Sequence, residues 1–542
     1  MYFIRIALIL LWISGSLVQC KGNTDGKASG SISDSTIHKE PADTIIQGIS
    51  NPLSGIVFDS TSIARFLASY PEFKEFSSDI SVFYRNRYYN YAWFDKDGLT
   101  EPAQMLLEQL YRESIDGIAV NAPYKDSLQQ MFHYGDFTER PEHQKPDVNG
   151  ELMLTGQYLR LAKKIWAGAY SKNLETIGWN IPRKKLSYQE LLEKSLDVKN
   201  LPNIENDILN PEYLALRAAL KRYRDLEKIS KDPYSIAKIK KSLKQGDTST
   251  VLPLVRERLN LFGYLDKTDT SSNYDGLLIP AVNRYKKSVG LKQDSIITNE
   301  MLTELMVPVK KRIEQIMVNL ERFRWMPNHE KSDEFIFVNI PGYRLRYFEK
   351  GKQVWDCNVV VGKTMNKTVI FSGMMQYVVL SPYWYVPQSI IKKEVVPGMK
   401  RNPNYLASHN MEWNGGNVRQ KPGPSNSLGR VKFIFPNSNN IYLHDTPSKN
   451  LFNEDNRAFS HGCVRVGQPR DLAYRILRHE TNWPPSKIDE AMAGTTEKTV
   501  TLTKKIPVII AYFTSFVEND GDINFRKDVY QRDARLLKLI SE

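Results

Sequence analysis

The chain has 542 residues, a formal net charge of +13 and a pI near 9.2, and 41% of its residues are apolar. That apolar fraction, with 28 Tyr and 22 Phe, excludes a disordered chain, and the length exceeds what one hydrophobic core usually supports, so two to four domains are expected. The excess of cations favours an acidic partner (nucleic acid, an anionic membrane or an acidic polymer) without choosing among them.

The N-terminus narrows the choice. Arg5 precedes the apolar run Ile6 to Ile13, which continues through Leu17 to Cys20. It is too short for a good transmembrane span and reads as a secretory signal over residues 1–20. Leu17, three residues ahead of Cys20, resembles a bacterial lipoprotein box, in which that cysteine is lipidated and anchors the chain to a membrane. Gln19 departs from the small residue usual there. A plain signal peptide and an uncleaved anchor are the alternatives. All three put the chain outside the cytoplasm, in the periplasm-facing envelope, and argue against nucleic acid as a partner.

Residues 21–55, rich in Gly, Ser, Thr and Asp, predict a flexible tether. From 56 to 245 the period is helical: Ala103, Leu106, Leu107 and Leu110 share one face, as do Leu152, Leu159, Ala162 and Trp166. This is a scaffold without evident chemistry. Residues 246–310 form a separate unit. Leu252, Val255, Leu259 and Phe262 mark a helix ending at Gly263; Val282, Tyr285 and Val289 mark a second ending at Gly290; Thr298 caps a third with Leu302 and Leu305. Leu261 to Leu265, Ala281-Val282, Tyr285 and Gly290-Leu291 resemble the small three-helix peptidoglycan-binding domain. A helical spacer without ligand is the alternative.

Residues 311–517 open with a helix over 312–323, whose stripe is Ile313, Ile316, Leu320 and Phe323, stopping at Pro327. The pattern then becomes β-rich. Strands are expected at Phe335–Ile340, Tyr343–Phe348, Val354–Val361, Tyr377–Leu380, Thr499–Leu502 and Val508–Tyr512, with a hairpin turn at Lys350-Gly351. Between about 386 and 432 the strand pattern lapses into an insertion rich in Pro, Gly and Asn, with eight basic residues against Glu394 and Glu412. It reads as a lid for an anionic substrate, with a solvated surface loop as the alternative. Residues 518–542 form a C-terminal segment.

Ile441 to His444 predicts a strand ending at a histidine, with the turn Asp445-Thr446-Pro447 after it; Ser460-His461-Gly462-Cys463 follows. Only eight His and three Cys occur in the chain, so this gathering carries information. A thiol attacks carbonyls as its thiolate, which a neighbouring imidazole can generate. Cys463 is therefore the candidate nucleophile and His444 its base. Gly462 admits close backbone approach, and the amides near Gly462 and Cys463 are candidate oxyanion donors. Cys357 reads as a buried small hydrophobe. A zinc site on His444, His461 and Cys463 is disfavoured, because no CxxC or HxxxH partner accompanies them. Neither a metal nor a cofactor is expected.

His444 followed by Ser460-His461-Gly462-Cys463 resembles the YkuD-type catalytic motif of the L,D-transpeptidases. Asn319 to Arg322, Arg324 to Pro327, Val338 to Pro341, Pro382 to Pro387 and Leu428 to Phe433 are similar to the long, multi-domain YcbB-type subgroup. Arg465 stands where shorter members often carry Asn and the long subgroup commonly has Arg. The resemblance implies a multi-domain α+β protein: a helical scaffold and a small three-helix binding domain, followed by a mainly-β catalytic domain with a lid insertion. It implies that Cys463 attacks an L,D-amide of a peptidoglycan stem peptide, with His444 as general base oriented by a nearby carbonyl such as that of Asp445. His461 and Gly462 would line the oxyanion side, and Arg465, Tyr442, Trp384 and Ser460 would touch substrate. A diamino-acid amine resolving the thioester makes a 3→3 cross-link; water makes an L,D-carboxypeptidase; a protein lysine anchors that protein to the wall. An inactive wall-binding protein is the reading of a different class.

Overall fold

The computed structural model describes residues 51–132, 145–169, 173–267, 270–327 and 333–541. The leader, Cys20 and nearly all of the tether lie outside the described residues.

The first apolar helix faces close on one core containing Phe66, Phe73, Leu107 and Leu152. Its central helix, α1 (Val148–Ala162), is capped by Asp147, which accepts the Gly150 amide at 2.8 Å. Glu151 on α1 is fully buried and accepts the Ala92 amide at 2.6 Å, the Trp93 amide at 3.0 Å and the Tyr84 hydroxyl at 2.7 Å. From Ala162 onward most buried apolar residues belong to a second core shared with everything downstream. Strand β1 (Trp179–Asn180) even joins the C-terminal sheet, and Trp179 meets Trp325 edge-on at 5.3 Å. The helical stretch over 56–245 thus divides between two cores. Tertiary contact, not helical period, decides where it divides.

After α2 (Pro211–Ile229) come α3 (Leu252–Leu261), α4 (Leu278–Ser288) and α5 (Asn299–Leu305), on the faces the periodicity predicts. Thr298 caps α5 by accepting the Met301 amide at 3.3 Å. Next, α6 (Val309–Trp325) is buried on nearly every side, polar residues included. Arg324 reaches the Asp116 carbonyl at 3.0 Å and the Tyr213 hydroxyl at 2.9 Å, Glu321 accepts the Ala169 amide at 3.1 Å, and Arg322 pairs with Asp533 at 2.7 Å. The motif residues Asn319 to Trp325 therefore tie the scaffold to the C-terminal region rather than meet substrate. Buried charge is tolerable there because each group is paired or hydrogen-bonded.

The sheet consists of β2 (Glu334–Asn339), β3 (Arg344–Glu349), β4 (Lys352–Gly362), β5 (Ile370–Leu380), β9 (Val431–Ile434), β10 (Leu443–His444), β12 (Val464–Val466) and β13 (Lys498–Ala511). Its order is β9-β10-β12-β4-β3-β2-β13-β5, and β5 pairs again with β9. The pairings close into a ring, which removes free edges. β1 adds to β5, and β11 (Ala458–Ser460) adds to β4. Two expectations are corrected in extent. The strand read over Tyr377–Leu380 starts at Ile370, and the two strands read after Thr499 are one, with a register shift between Thr501 and Ile506.

The insertion is not an irregular loop. β6 (Trp384–Tyr385), β7 (Met411–Asn414) and β8 (Asn417–Gln420) form a three-stranded sheet in the order β6-β8-β7, and residues 388–401 are helical. Gly415 and Gly416, at φ +56° and +80°, make the two-residue turn between β7 and β8. Val386, Ile391, Val395 and Val418 give the insertion its own small core. Its expected end at 432 is too late, because Val431 and Lys432 already belong to the ring.

The C-terminal segment is likewise no appendage. The hairpin of β14 (Ser515–Val517) and β15 (Ile523–Phe525) clamps α4: Asp522 takes Arg284 through two hydrogen bonds of 2.5 and 2.6 Å, and Asp520 takes Lys287 at 2.6 Å.

Candidate active site

Three adjacent strands gather the candidate chemistry on one face. Lys432 on β9 stands opposite His444 on β10, and His444 stands beside Arg465 on β12. Directly paired residues share a face, so Lys432, His444 and Arg465 form one row. Val431, Phe433, Leu443 and Val464 alternate with them and are buried in the core. One step before those strands, the Val464 amide donates to the Tyr442 carbonyl at 3.1 Å, and the Tyr442 side chain favours the Cys463 thiolate. Tyr442 and Cys463 make the next row.

The His444 ring is buried, and its Nδ1 lies 2.5 Å from the carbonyl oxygen of Asp445. A carbonyl only accepts, so Nδ1 carries the proton and Nε2 presents a lone pair. Burial, then the positive charge of Arg465, push the imidazole pKa down to about 3 against the pull of that carbonyl. The ring is a neutral base at pH 7. Cys463 donates to the Asn440 carbonyl at 3.7 Å. Burial pushes its pKa above the ordinary thiol range, although Tyr442, Lys432 and Arg465 all favour the thiolate. Thiol and imidazole are therefore both neutral at pH 7.

The carbonyl that orients His444 is itself held. The Asp445 carboxylate accepts the Arg430 amide at 2.8 Å and the Thr446 amide at 2.6 Å and pairs with Lys449.

The loop carrying Cys463 differs from expectation in three places. Ser460, expected to touch substrate, is buried; its hydroxyl donates to the Cys463 carbonyl at 2.5 Å and accepts the Gly462 amide at 3.1 Å. It is a clip for the turn. The Gly462 amide is thereby spent and is not an oxyanion donor, whereas the Cys463 amide meets no acceptor among the described residues. Gly462 sits at φ +122°, a conformation side chains rarely adopt, and its carbonyl accepts from Thr368 Oγ1 at 2.7 Å. His461 is half-exposed and turns Nε2 toward Glu394 of the insertion, 3.8 Å away. It joins the loop to the insertion.

Trp384, on β6 opposite Gln420, packs on the small core of the insertion rather than standing free for a ligand. Cys357 is buried, as its strand context predicts. Sequence reasoning missed Lys432 as a member of the site, although a lysine between the core residues Val431 and Phe433 was the available signal. It also missed Thr368 and Tyr530, which support the loop from beneath. The Tyr530 hydroxyl donates to the Gly362 carbonyl at 2.6 Å and accepts the Thr368 amide at 3.1 Å. No local pattern reveals that pairing.

Residues 333–510 match the model of the YkuD L,D-transpeptidase catalytic domain. The ring of strands is thus similar to an L,D-transpeptidase catalytic domain. Residues 78–220 match a second model, described as a Scaffold domain. A Haemophilus influenzae protein named "Putative L,D-transpeptidase" is 33% identical over 256 residues, which is 43% of this chain and 51% of that protein. The chain thus spans about half the length of this curated relative. Solved L,D-transpeptidase structures from Xylanimonas cellulosilytica and Stackebrandtia nassauensis are 13% and 12% identical. Each alignment covers 51% of this chain and 100% or 97% of the other, at TM-scores of 0.18 and 0.21, too low to carry an argument. The transpeptidase domain, the scaffold and the helical elements together make the α+β layout read from the sequence. Among the described residues no helix is long and apolar enough to cross a membrane, and no three His, Cys, Asp or Glu gather as a metal site would require.

Proposed function

We propose that this chain is a cysteine L,D-transpeptidase acting on peptidoglycan stem peptides. The observation that carries the reading is a thiol and a neutral imidazole on one sheet face, the imidazole held by Asp445 so that Nε2 is its basic atom. His444 takes the Cys463 proton as sulfur attacks the carbonyl of the L,D-amide. The Cys463 amide is the backbone donor left for the developing oxyanion. The C–N bond breaks, His444 returns the proton to the leaving amine, and a D-amino acid departs from a thioester acyl-enzyme. The side-chain amine of a diamino acid on a second stem resolves the thioester and forms a 3→3 cross-link. The leader-like run and Cys20 support a place in the bacterial envelope, with lipidation as the anchor.

The test is intact-protein mass spectrometry after exposure to a carbapenem, a β-lactam class whose strained carbonyl acylates nucleophilic thiols. One adduct on wild type, absent from Cys463→Ser, is expected. Equal labelling of both would remove Cys463 as the nucleophile. Products from purified stem peptides then separate cross-linking from hydrolysis.

A further inference from the structure

Three consecutive peptide units make the turn that carries Cys463, and they are held in different ways. Ser460 Oγ accepts the amide of the first, at Gly462, and donates to the carbonyl of the third, at Cys463. The third is held again through its own amide, that of Val464, on the Tyr442 carbonyl. The middle unit joins the Gly462 carbonyl to the Cys463 amide. Its one hydrogen bond among the described residues is the 2.7 Å contact from Thr368 Oγ1 to the Gly462 oxygen. A peptide unit is planar and trans, so its oxygen and its N–H point in opposite directions. Thr368 thus aims the Cys463 N–H while leaving that proton free. Gly462, at φ +122°, has no side chain to resist rotation of the plane, so the threonine hydroxyl supplies the restraint.

That hydroxyl is itself fixed. It accepts the Gly362 amide at 2.9 Å, which leaves its single proton for the Gly462 oxygen. The Thr368 amide donates to the Tyr530 hydroxyl at 3.1 Å, and the same hydroxyl donates to the Gly362 carbonyl at 2.6 Å. Thr368 and Tyr530 are 0% and 1% exposed, so water has no access to replace either group. Tyr530 lies on a strap, residues 528–532, that is secured on both sides of it. Its amide donates to the Tyr512 hydroxyl at 2.8 Å, and Arg532 Nη1 donates to the Ile177 carbonyl of the scaffold region at 2.9 Å.

In the reaction proposed above, on which this inference rests, negative charge develops on the carbonyl oxygen once sulfur has attacked. A backbone donor stabilises that charge only when its N–H points at it. We propose that Thr368 and Tyr530 are positioning residues for acyl transfer, which aim the Cys463 N–H at the oxyanion and leave the reactivity of the sulfur to His444. The C-terminal strap thereby becomes part of the machinery for one step of the reaction.

Two reactions of the same thiol separate aiming from thiol reactivity. Sulfur attacks a carbapenem at its lactam carbonyl, the C=O π pair moves onto oxygen, and an oxyanion forms before the C–N bond breaks. Sulfur attacks iodoacetamide at a saturated carbon, iodide leaves, and no oxyanion forms. The readout is the ratio of the two rate constants at Cys463, acylation over alkylation, measured on the full chain by mass spectrometry with peptide mapping. Cys357 is buried in the folded chain, so molecules alkylated there are unfolded and are left out of the count. In Thr368→Val and in Tyr530→Phe the ratio should fall by about 10–100-fold, less than the about 10²–10³-fold cost of deleting an oxyanion donor outright. Thr368→Ser, which keeps the hydroxyl, should restore the wild-type ratio. An unchanged ratio in Thr368→Val and Tyr530→Phe, whether both rates fall together or neither does, overturns the proposal and makes the strap a structural support only. Wild-type protein that is alkylated normally at Cys463 yet not acylated by the carbapenem overturns the proposed function itself.

Discussion

Gly429 stands directly beneath the carboxylate of Asp445: a Cβ added to Gly429 would lie 2.3 Å from Asp445 Cγ. The glycine sits at φ +60°, and the carboxylate above it accepts the amide of Arg430, the next residue. Asp445 supplies the carbonyl that fixes the His444 tautomer, so a close approach of two loops sets the chemistry of a ring that neither loop contains.

Gly429→Ala is therefore expected to act at a distance. The methyl displaces Asp445 and the backbone is strained at positive φ, which should cost about 1–3 kcal/mol of stability and slow acylation of Cys463 by more than the loss of folded protein explains. Thermal melting beside carbapenem acylation rates checks this. Acylation unchanged in the folded fraction would mean that the Asp445 contact does not govern His444.

The two histidines should separate cleanly. His444→Ala removes the candidate base and is expected to lower the acylation rate by at least about 10²-fold. His461→Ala removes a half-exposed ring whose described partner is Glu394 of the insertion, 3.8 Å away, and should cost far less. Single-turnover acylation of both variants decides, and the reverse ranking would reassign the base.

The pH dependence follows from a resting pair that is neutral. A thiolate–imidazolium pair would give Cys463 alkylation a plateau near pH 6–7. Here burial raises the thiol and lowers His444 to about 3, so the iodoacetamide rate should climb without that plateau and keep rising past the ordinary thiol value of about 8.5. Stability carries the opposite mark of the same burial. Between about pH 6.5, the unfolded value, and about 3 the unfolded chain binds a proton at this site that the folded chain refuses. Stability from this residue is thus undiminished above pH 6.5 and falls by up to about 1.4 kcal/mol per pH unit below it. His444→Gln should flatten the melting curve over that window.

The insertion should be removable. Asn426 Nδ2 donates to the Pro382 carbonyl at 3.1 Å, so its two ends lie together, and it carries a small core of its own. Replacing residues 386–425 with a short Gly-rich link should leave the melting temperature of the ring within a few degrees. It should raise KM for peptidoglycan fragments if this segment serves as a lid. An unchanged KM would make it a surface ornament.

The fold and site were legible to different depths. Helix faces such as Leu252, Val255 and Leu259 and strands such as Phe335–Ile340 follow from periodicity, because one buried face imposes a repeat on the chain. Cys463 and His444 stand out as candidates because reactive residue types are rare here and their order is characteristic. The insertion was read as a loop because strands of two to four residues carry too little periodicity to register. Ser460 was misjudged because a hydroxyl that clips its own turn looks in sequence like one that meets a ligand.

Residue identity by itself determined which side chains have reactive chemistry, where the apolar repeats run, and the glycines that positive φ demands. Tertiary structure alone decided what those side chains do. Strand register placed Lys432 and Arg465 beside His444, ring closure buried the imidazole enough to keep it neutral, and Tyr530, 67 residues after Cys463, came to support the loop beneath it. The physical reason is range: periodicity and turn chemistry act over a few residues, whereas register, burial and pKa depend on neighbours that only the folded chain brings together.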